Sequence, residues 1–81
     1  MPRKLMLKER KLGRERARGQ AFVEDGLIEI DPRLEPRQWL STLVHEAVHM
    51  AFPDAPEYRV AAAERIITRI LWRAGLRRIH L

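Results

Sequence analysis

The chain has no cysteine. Its 81 residues therefore form no disulfide and offer no thiolate to a metal, which excludes the cysteine-based kind of structural zinc site. Histidine is scarce as well, with His45, His49 and His80 making up the full set of three. Long apolar runs are missing, because Arg or Glu interrupts each of them, so we expect no membrane span, no signal peptide and no membrane partner. The expectation is a soluble, cytoplasmic protein. Residues 1 to 19 hold no aromatic side chain, so base stacking of the kind used on single strands is not indicated there. What the length allows is one small domain over residues 1–81, near the size at which a single core gives only marginal stability. A bound metal would help such a chain fold.

Charge is present but unevenly placed. Residues 1 to 19 carry eight basic side chains (Arg3, Lys4, Lys8, Arg10, Lys11, Arg14, Arg16 and Arg18) against Glu9 and Glu15, a local net of +6, and the rest of the chain is about neutral. A basic segment of this kind could meet nucleic-acid phosphates or an acidic protein surface. The plainer reading is a solvated, Arg-rich face that keeps the protein soluble.

The most specific pattern is Thr42-Leu43-Val44-His45-Glu46-Ala47-Val48-His49, an HExxH signature in a stretch that reads as helix. Histidines four apart project from one helical face, one turn from each other, so both imidazoles can reach a single metal ion. Glu46 lies about 100° round the helix from His45, where it can take a proton from metal-activated water without being a ligand itself. Leu40, Leu43, Val44, Ala47, Val48 and Ala51 recur at three- and four-residue spacing and give the helix an apolar face distinct from the histidines. The pattern points to metal-assisted hydrolysis. Two plainer readings are a pair of half-buried histidines beside a solvated glutamate, and a purely structural metal.

Around that motif the chain divides into a mainly β part, residues 1–34, and two helices over residues 36–75. Lys4 to Lys11 alternates imperfectly and suits a strand. Gln20-Ala21-Phe22-Val23, then Glu24-Asp25-Gly26, then Leu27 to Asp31 reads as a hairpin turning on Asp-Gly, with Gly13 and Gly19 punctuating its approach. Asp31-Pro32 ends the second strand and Pro36 opens the first helix, which stops near Phe52 before Pro53. Asp54 and Glu57 read as an N-cap and capping box for a second helix running to about Ala74, with Gly75 as its C-cap glycine. Its apolar stripe is Val60, Ala63, Ile67, Ile70, Leu71 and Ala74, and Trp72, off the stripe, is free to cover a sheet edge or a terminus. The expected fold class is α+β: a small antiparallel or mixed sheet with a hairpin, followed by two antiparallel helices.

A catalytic zinc takes three protein ligands and leaves a position for water, so a third ligand is needed beside His45 and His49. The candidates are Glu57, Glu64, Asp54 and His80. Glu57 and Glu64 are seven residues apart and share one flank of the second helix. In a tight helical hairpin the depth of the histidines favours Glu64, whereas a splayed connection presents Glu57.

The strand ending Ile30-Asp31-Pro32-Arg33, then Thr42 to Glu46, His49, Phe52-Pro53-Asp54, Glu57, Val60 and Leu71-Trp72-Arg73, resemble the small phage-type zinc metallopeptidases. These are minimal zincins related in outline to the SprT-like and ImmA/IrrE-like groups, and the likeness spans roughly residues 13 to 78. It implies a gluzincin-type site in which His45, His49 and Glu57 hold Zn2+, since members carry Glu at the Glu57 position and a small residue where this chain has Glu64. The implied reaction is hydrolysis of a peptide or protein substrate, with Glu46 as general base. The implied substrate lies as an added strand along the hairpin edge. Tyr58, Arg59 and His80 are the donors at hand for an oxyanion. The chain lacks the cysteine-based zinc ribbon of the longer SprT-like proteins, so DNA-directed proteolysis is not implied. The alternative in another class is a metal-stabilised binding or regulatory module, including one associated with nucleic acid through residues 1 to 19.

Overall fold

The computed structural model describes residues 4–13 and 18–77. His80 and the basic residues Arg3, Arg14 and Arg16 lie outside the described residues. The described chain is an α+β unit with three short strands, β1 (Met6–Glu9), β2 (Gly19–Phe22) and β3 (Leu27–Ile30), followed by α1 (Pro36–Ala51) and α2 (Glu57–Arg73). The sheet is mixed, with β3 in the centre, β1 parallel to it and β2 antiparallel. Both β1 and β2 are edges.

The hairpin forms where Asp-Gly predicts it, with a longer connection than a two-residue turn. Val23–Asp25 makes one 3-10 turn, and Gly26 closes it at φ 65°, the left-handed region that a side chain with a Cβ rarely enters. In the register that follows, Gln20 faces Glu29 across the strands, and the Gln20 amide donates to the Glu29 carboxylate at 2.8 Å. Arg10 meets the same carboxylate at 3.0 Å. Glu29 is therefore a buried acid on the central strand that stays ionised: the Gln20 hydrogen bond lowers its pKa, burial opposes, and Arg10 adds to the lowering.

The strand then ends in a charged knot. Asp31 accepts hydrogen bonds from the Leu12 backbone N–H at 3.0 Å, from the Arg33 backbone N–H at 3.0 Å, and from the Arg33 guanidinium at 2.9 and 2.6 Å. This ties the segment after β1 to the end of β3 and seats Leu12 in the core with Ile30, Leu40, Val44 and Val60.

Pro36 begins α1, where its missing N–H costs nothing. Leu40 and Val44, one turn apart, face inward from α1, and α1 touches both strands of the hairpin and α2. At its far end α2 stops in a Schellman arrangement: Gly75, at φ 87°, donates to the Trp72 carbonyl at 3.0 Å and Leu76 to the Leu71 carbonyl at 3.1 Å.

Two expectations are corrected. Asp54 does not cap α2: the N-cap is Pro56, without a side-chain hydrogen bond, and Glu57 is the first helical residue. A capping box from Asp54 needs Ala55 and Pro56 inside the helix, but a residue preceding proline is kept out of the α region, so the start slides to residue 57. The apolar stripe of α2 is covered over only part of its width. Val60 is buried, whereas Ile67 and Ile70 stand open, Ile70 at 61% exposure. The inward face of α2 instead centres on Val60 and Thr68, because α1 is the main neighbour of α2 and takes one side of it. Trp72 is placed by its cationic neighbours. It lies beneath the Arg77 guanidinium at 3.8 Å, with that of Arg37 at 5.5 Å, linking the end of α2 to the start of α1.

Candidate metal centre

The site is built where α1 and the start of α2 meet. His45, Glu46 and His49 lie on α1, and the 4-residue step brings the two imidazoles together with ring centroids 4.9 Å apart, edge to face. Both rings are half-buried, with side-chain exposures of 23% and 28%. Because α2 begins at residue 57, Glu57 enters from its first turn and is free of any capping duty. One carboxylate oxygen of Glu57 stands 2.7 Å from His45 Nε2 and the other 3.2 Å from His49 Nε2.

One ligand atom from each of His45, His49 and Glu57 lies within 4.8 Å of the others, so the three form a group able to hold a metal ion. In a tetrahedral site with metal–ligand bonds of about 2.0–2.1 Å, ligand atoms stand roughly 3.3 Å apart. Glu57 meets the two imidazoles with different oxygens, at 2.7 and 3.2 Å, both shorter than that edge length, so its exposed carboxylate has to move outward for one oxygen to serve as the ligand. The donor set, two nitrogens and one oxygen with no thiolate, is that of a site with a coordination position left open.

Glu64 enters differently. It lies two turns further along α2, and its carboxylate is 2.8 Å from His45 Nδ1, the nitrogen on the other edge of the ring from Glu57. Asp54, another candidate for the third ligand, is exposed in the connection between the helices and outside the group.

Electrostatics follow from this crowding. Burial lowers the pKa of His45, but the Glu64 hydrogen bond and the charges of Glu46, Glu57 and Glu64 more than offset it, so the imidazole is raised above its ordinary 6.5. Glu46 is raised above 4.5, first by burial; His45 and His49 pull it down, and Glu57 and Glu64 push it up. A carboxyl so raised is a better proton acceptor than a solvated glutamate.

Glu46 and His45 open onto a polar recess of about 320 Å³ walled by Arg18, Gly19, Ser41, Thr42 and Glu64. Of these walls, sequence reasoning assigned a part in the site only to Glu64, as a rival ligand. Gly19 carried the missed signal: a glycine opening a strand marks a close backbone approach. A Cβ built there would stand 2.6 Å from the Thr42 methyl, 3.0 Å from the Glu29 carbonyl oxygen and 3.4 Å from Glu46 Cγ. The bare backbone is what lets the edge strand β2 start beside the site. Tyr58 is 72% exposed, and Arg59 borders a separate apolar recess with Val48, Phe52 and Ile67, so neither is brought to the recess at Glu46.

Compared with family models, curated proteins and solved structures, the chain matches none. What the site can do is read from its own geometry.

Proposed function

We propose that this chain is a zinc-dependent metallopeptidase of minimal zincin type, with His45, His49 and Glu57 as ligands and Glu46 as general base. The observation that carries the reading is the convergence of three neutral-or-anionic donors from two helices, with a half-buried, pKa-raised glutamate one residue from the first of them. A structural metal needs no such neighbour. Zinc held there would supply Lewis acidity, lowering the pKa of water toward neutrality and polarising a substrate carbonyl.

The chain's own groups would do the rest. Glu46 takes the proton of the attacking water and delivers it to the departing amine, for which a raised pKa suits it in both directions. The recess in front of Glu46 admits the scissile group. Strand β2, an edge of the described sheet that begins at Gly19 beside Glu46, would take an extended peptide as an added strand arriving in line with the site. Arg18, on the wall of the recess, is the cation placed to meet negative charge there.

The test is Glu46→Gln, assayed for zinc content after chelation and reconstitution and for cleavage of a peptide library. The expected result is one zinc per chain retained and hydrolysis reduced by a factor of about 10²–10⁴ or more. Hydrolysis at the wild-type rate would remove Glu46 as the base. Zinc binding without cleavage of any peptide by the wild type would leave the metal-stabilised module as the reading.

A further inference from the structure

We infer that Glu64 is a positioning residue for the metal centre: it fixes the tautomer and the ring orientation of His45 from the side opposite the metal, and is not itself a ligand. The inference rests on the metal-site reading above and assigns one further residue to it. A carboxylate only accepts hydrogen bonds, so the 2.8 Å contact with Glu64 calls for a proton on His45 Nδ1, and the 2.7 Å contact with Glu57 calls for one on Nε2 until an ion takes that place. In a neutral imidazole a proton on Nδ1 leaves the lone pair on Nε2. Nε2 is the atom that faces Glu57, at 2.7 Å, and so the atom that joins His49 Nε2 in the donor group. One hydrogen bond thereby selects the nitrogen that is presented to the ion.

The helix supplies the geometry for this. Glu57 and Glu64 are two turns apart on one flank of α2, about 10 Å along its axis, and the His45 ring lies between their carboxylates. An imidazole on a free helix surface rotates about χ2 and presents either nitrogen; between two carboxylates on opposite edges it cannot. Glu64 is also much better covered than Glu57, at 28% against 67% side-chain exposure. That suits a fixed anchor, whereas the more exposed Glu57 is able to shift as an ion enters. An anionic partner on Nδ1 also makes Nε2 a stronger donor. Glu64 bonds Nδ1, the nitrogen on the other edge of the ring from Glu57, and is not one of the three residues of the donor group.

Three measurements on the full chain test the assignment. Zinc affinity is measured by competition with a chromophoric chelator for the wild type, Glu64→Ala, Glu64→Gln and Glu57→Ala. Glu64→Ala should bind about 10–100-fold more weakly, and Glu64→Gln, whose amide oxygen still accepts from Nδ1–H, should fall between it and the wild type. Visible absorption of the Co2+-loaded proteins reports coordination: Glu64→Ala should keep the wild-type band pattern, and Glu57→Ala should lose it. Long-range 1H–15N spectra of the zinc-loaded wild type should place the proton of His45 on Nδ1, a readout that holds even where a variant does not fold. Zinc affinity unchanged in Glu64→Ala overturns the positioning role. Loss of the Co2+ bands in both Glu64 variants makes Glu64 a ligand, and a proton on Nε2 overturns the tautomer. A wild type that binds neither zinc nor Co2+ removes the metal site itself, and the inference with it.

Discussion

Asp31 draws four hydrogen bonds onto one carboxylate at 7% side-chain exposure, and its job is to bind two distant pieces of chain to each other. The Arg33 side chain and backbone, then the Leu12 N–H, hold its pKa far below the usual carboxylate range, against a smaller opposing effect of burial. A group whose pKa is depressed by folding contributes stability that is complete above its unfolded value, 3.8, and is lost as pH falls toward the folded one. Asp31→Asn should therefore lower Tm by the same margin at pH 7 and pH 5, with the margin shrinking below pH 3.8; thermal melts across that range decide it. A margin already closing between pH 7 and pH 5 would mean that another group is responsible. At this scale the sequence was uneven in what it disclosed. His45, Glu46 and His49 were legible because a 4-residue helical step converts spacing directly into proximity. The part played by Asp31 was not, because Ile30-Asp31-Pro32 looks like a strand end whatever the carboxylate touches. Glu57 and Glu64 were legible as a pair on one flank, but which one turns toward Nε2 depends on where α2 starts, and that is decided by Pro56.

Among the elements, β2 has the tightest constraint. Its first residue lies so near α1 that any side chain must displace the Thr42 methyl, on a β-branched residue with little rotamer freedom in a helix, and press on the Glu29 carbonyl oxygen. Gly19→Ala should cost about 1–3 kcal/mol of stability by overpacking, read as a lower denaturant midpoint at constant slope. Adding Thr42→Ala should return part of the loss, so that the double variant is more stable than the two single effects summed. Strict additivity, or a neutral Gly19→Ala, would mean that the strand and helix are not in contact there. The same approach sets the strand edge against Glu46, so a variant that survives should also show altered access to the recess. Strands, hairpin turn and both helices were readable from alternation, Asp-Gly and periodicity. The burial of α2 was not, because periodicity reports which residues share a face and says nothing about whether a neighbour exists to cover it. Ile67 and Ile70 belong to a regular apolar stripe and stand 38% and 61% exposed.

At the scale of the whole molecule, little apolar material holds the described chain together. Its buried hydrophobic side chains are Leu12, Ile30, Leu40, Val44 and Val60, and only Val60 comes from α2. α2 has α1 as its main neighbour, so the cross-links between these two helices bear on whether α2 stays docked. The candidate ligands straddle that boundary, with His45 and His49 on one side and Glu57 on the other. An ion bound there would hold the helices together in the folded state, while the unfolded chain has no such preformed group, so its binding energy adds to stability. At a free zinc concentration 100 times Kd the gain is about 2.7 kcal/mol. For a domain of this size each kcal/mol moves Tm by about 4–8 °C, so zinc should raise the melting temperature by about 10–20 °C and a chelator should reverse it. Glu46→Gln should keep the whole shift, since Glu46 is not in the donor group, and Glu57→Ala should lose most of it. Melting curves of the three proteins with and without zinc distinguish these outcomes. An unchanged Tm for the wild type would mean that no ion bridges the helices, and a full shift in Glu57→Ala would mean that the bridge runs through another carboxylate, with Glu64 the nearest on α2 to His45.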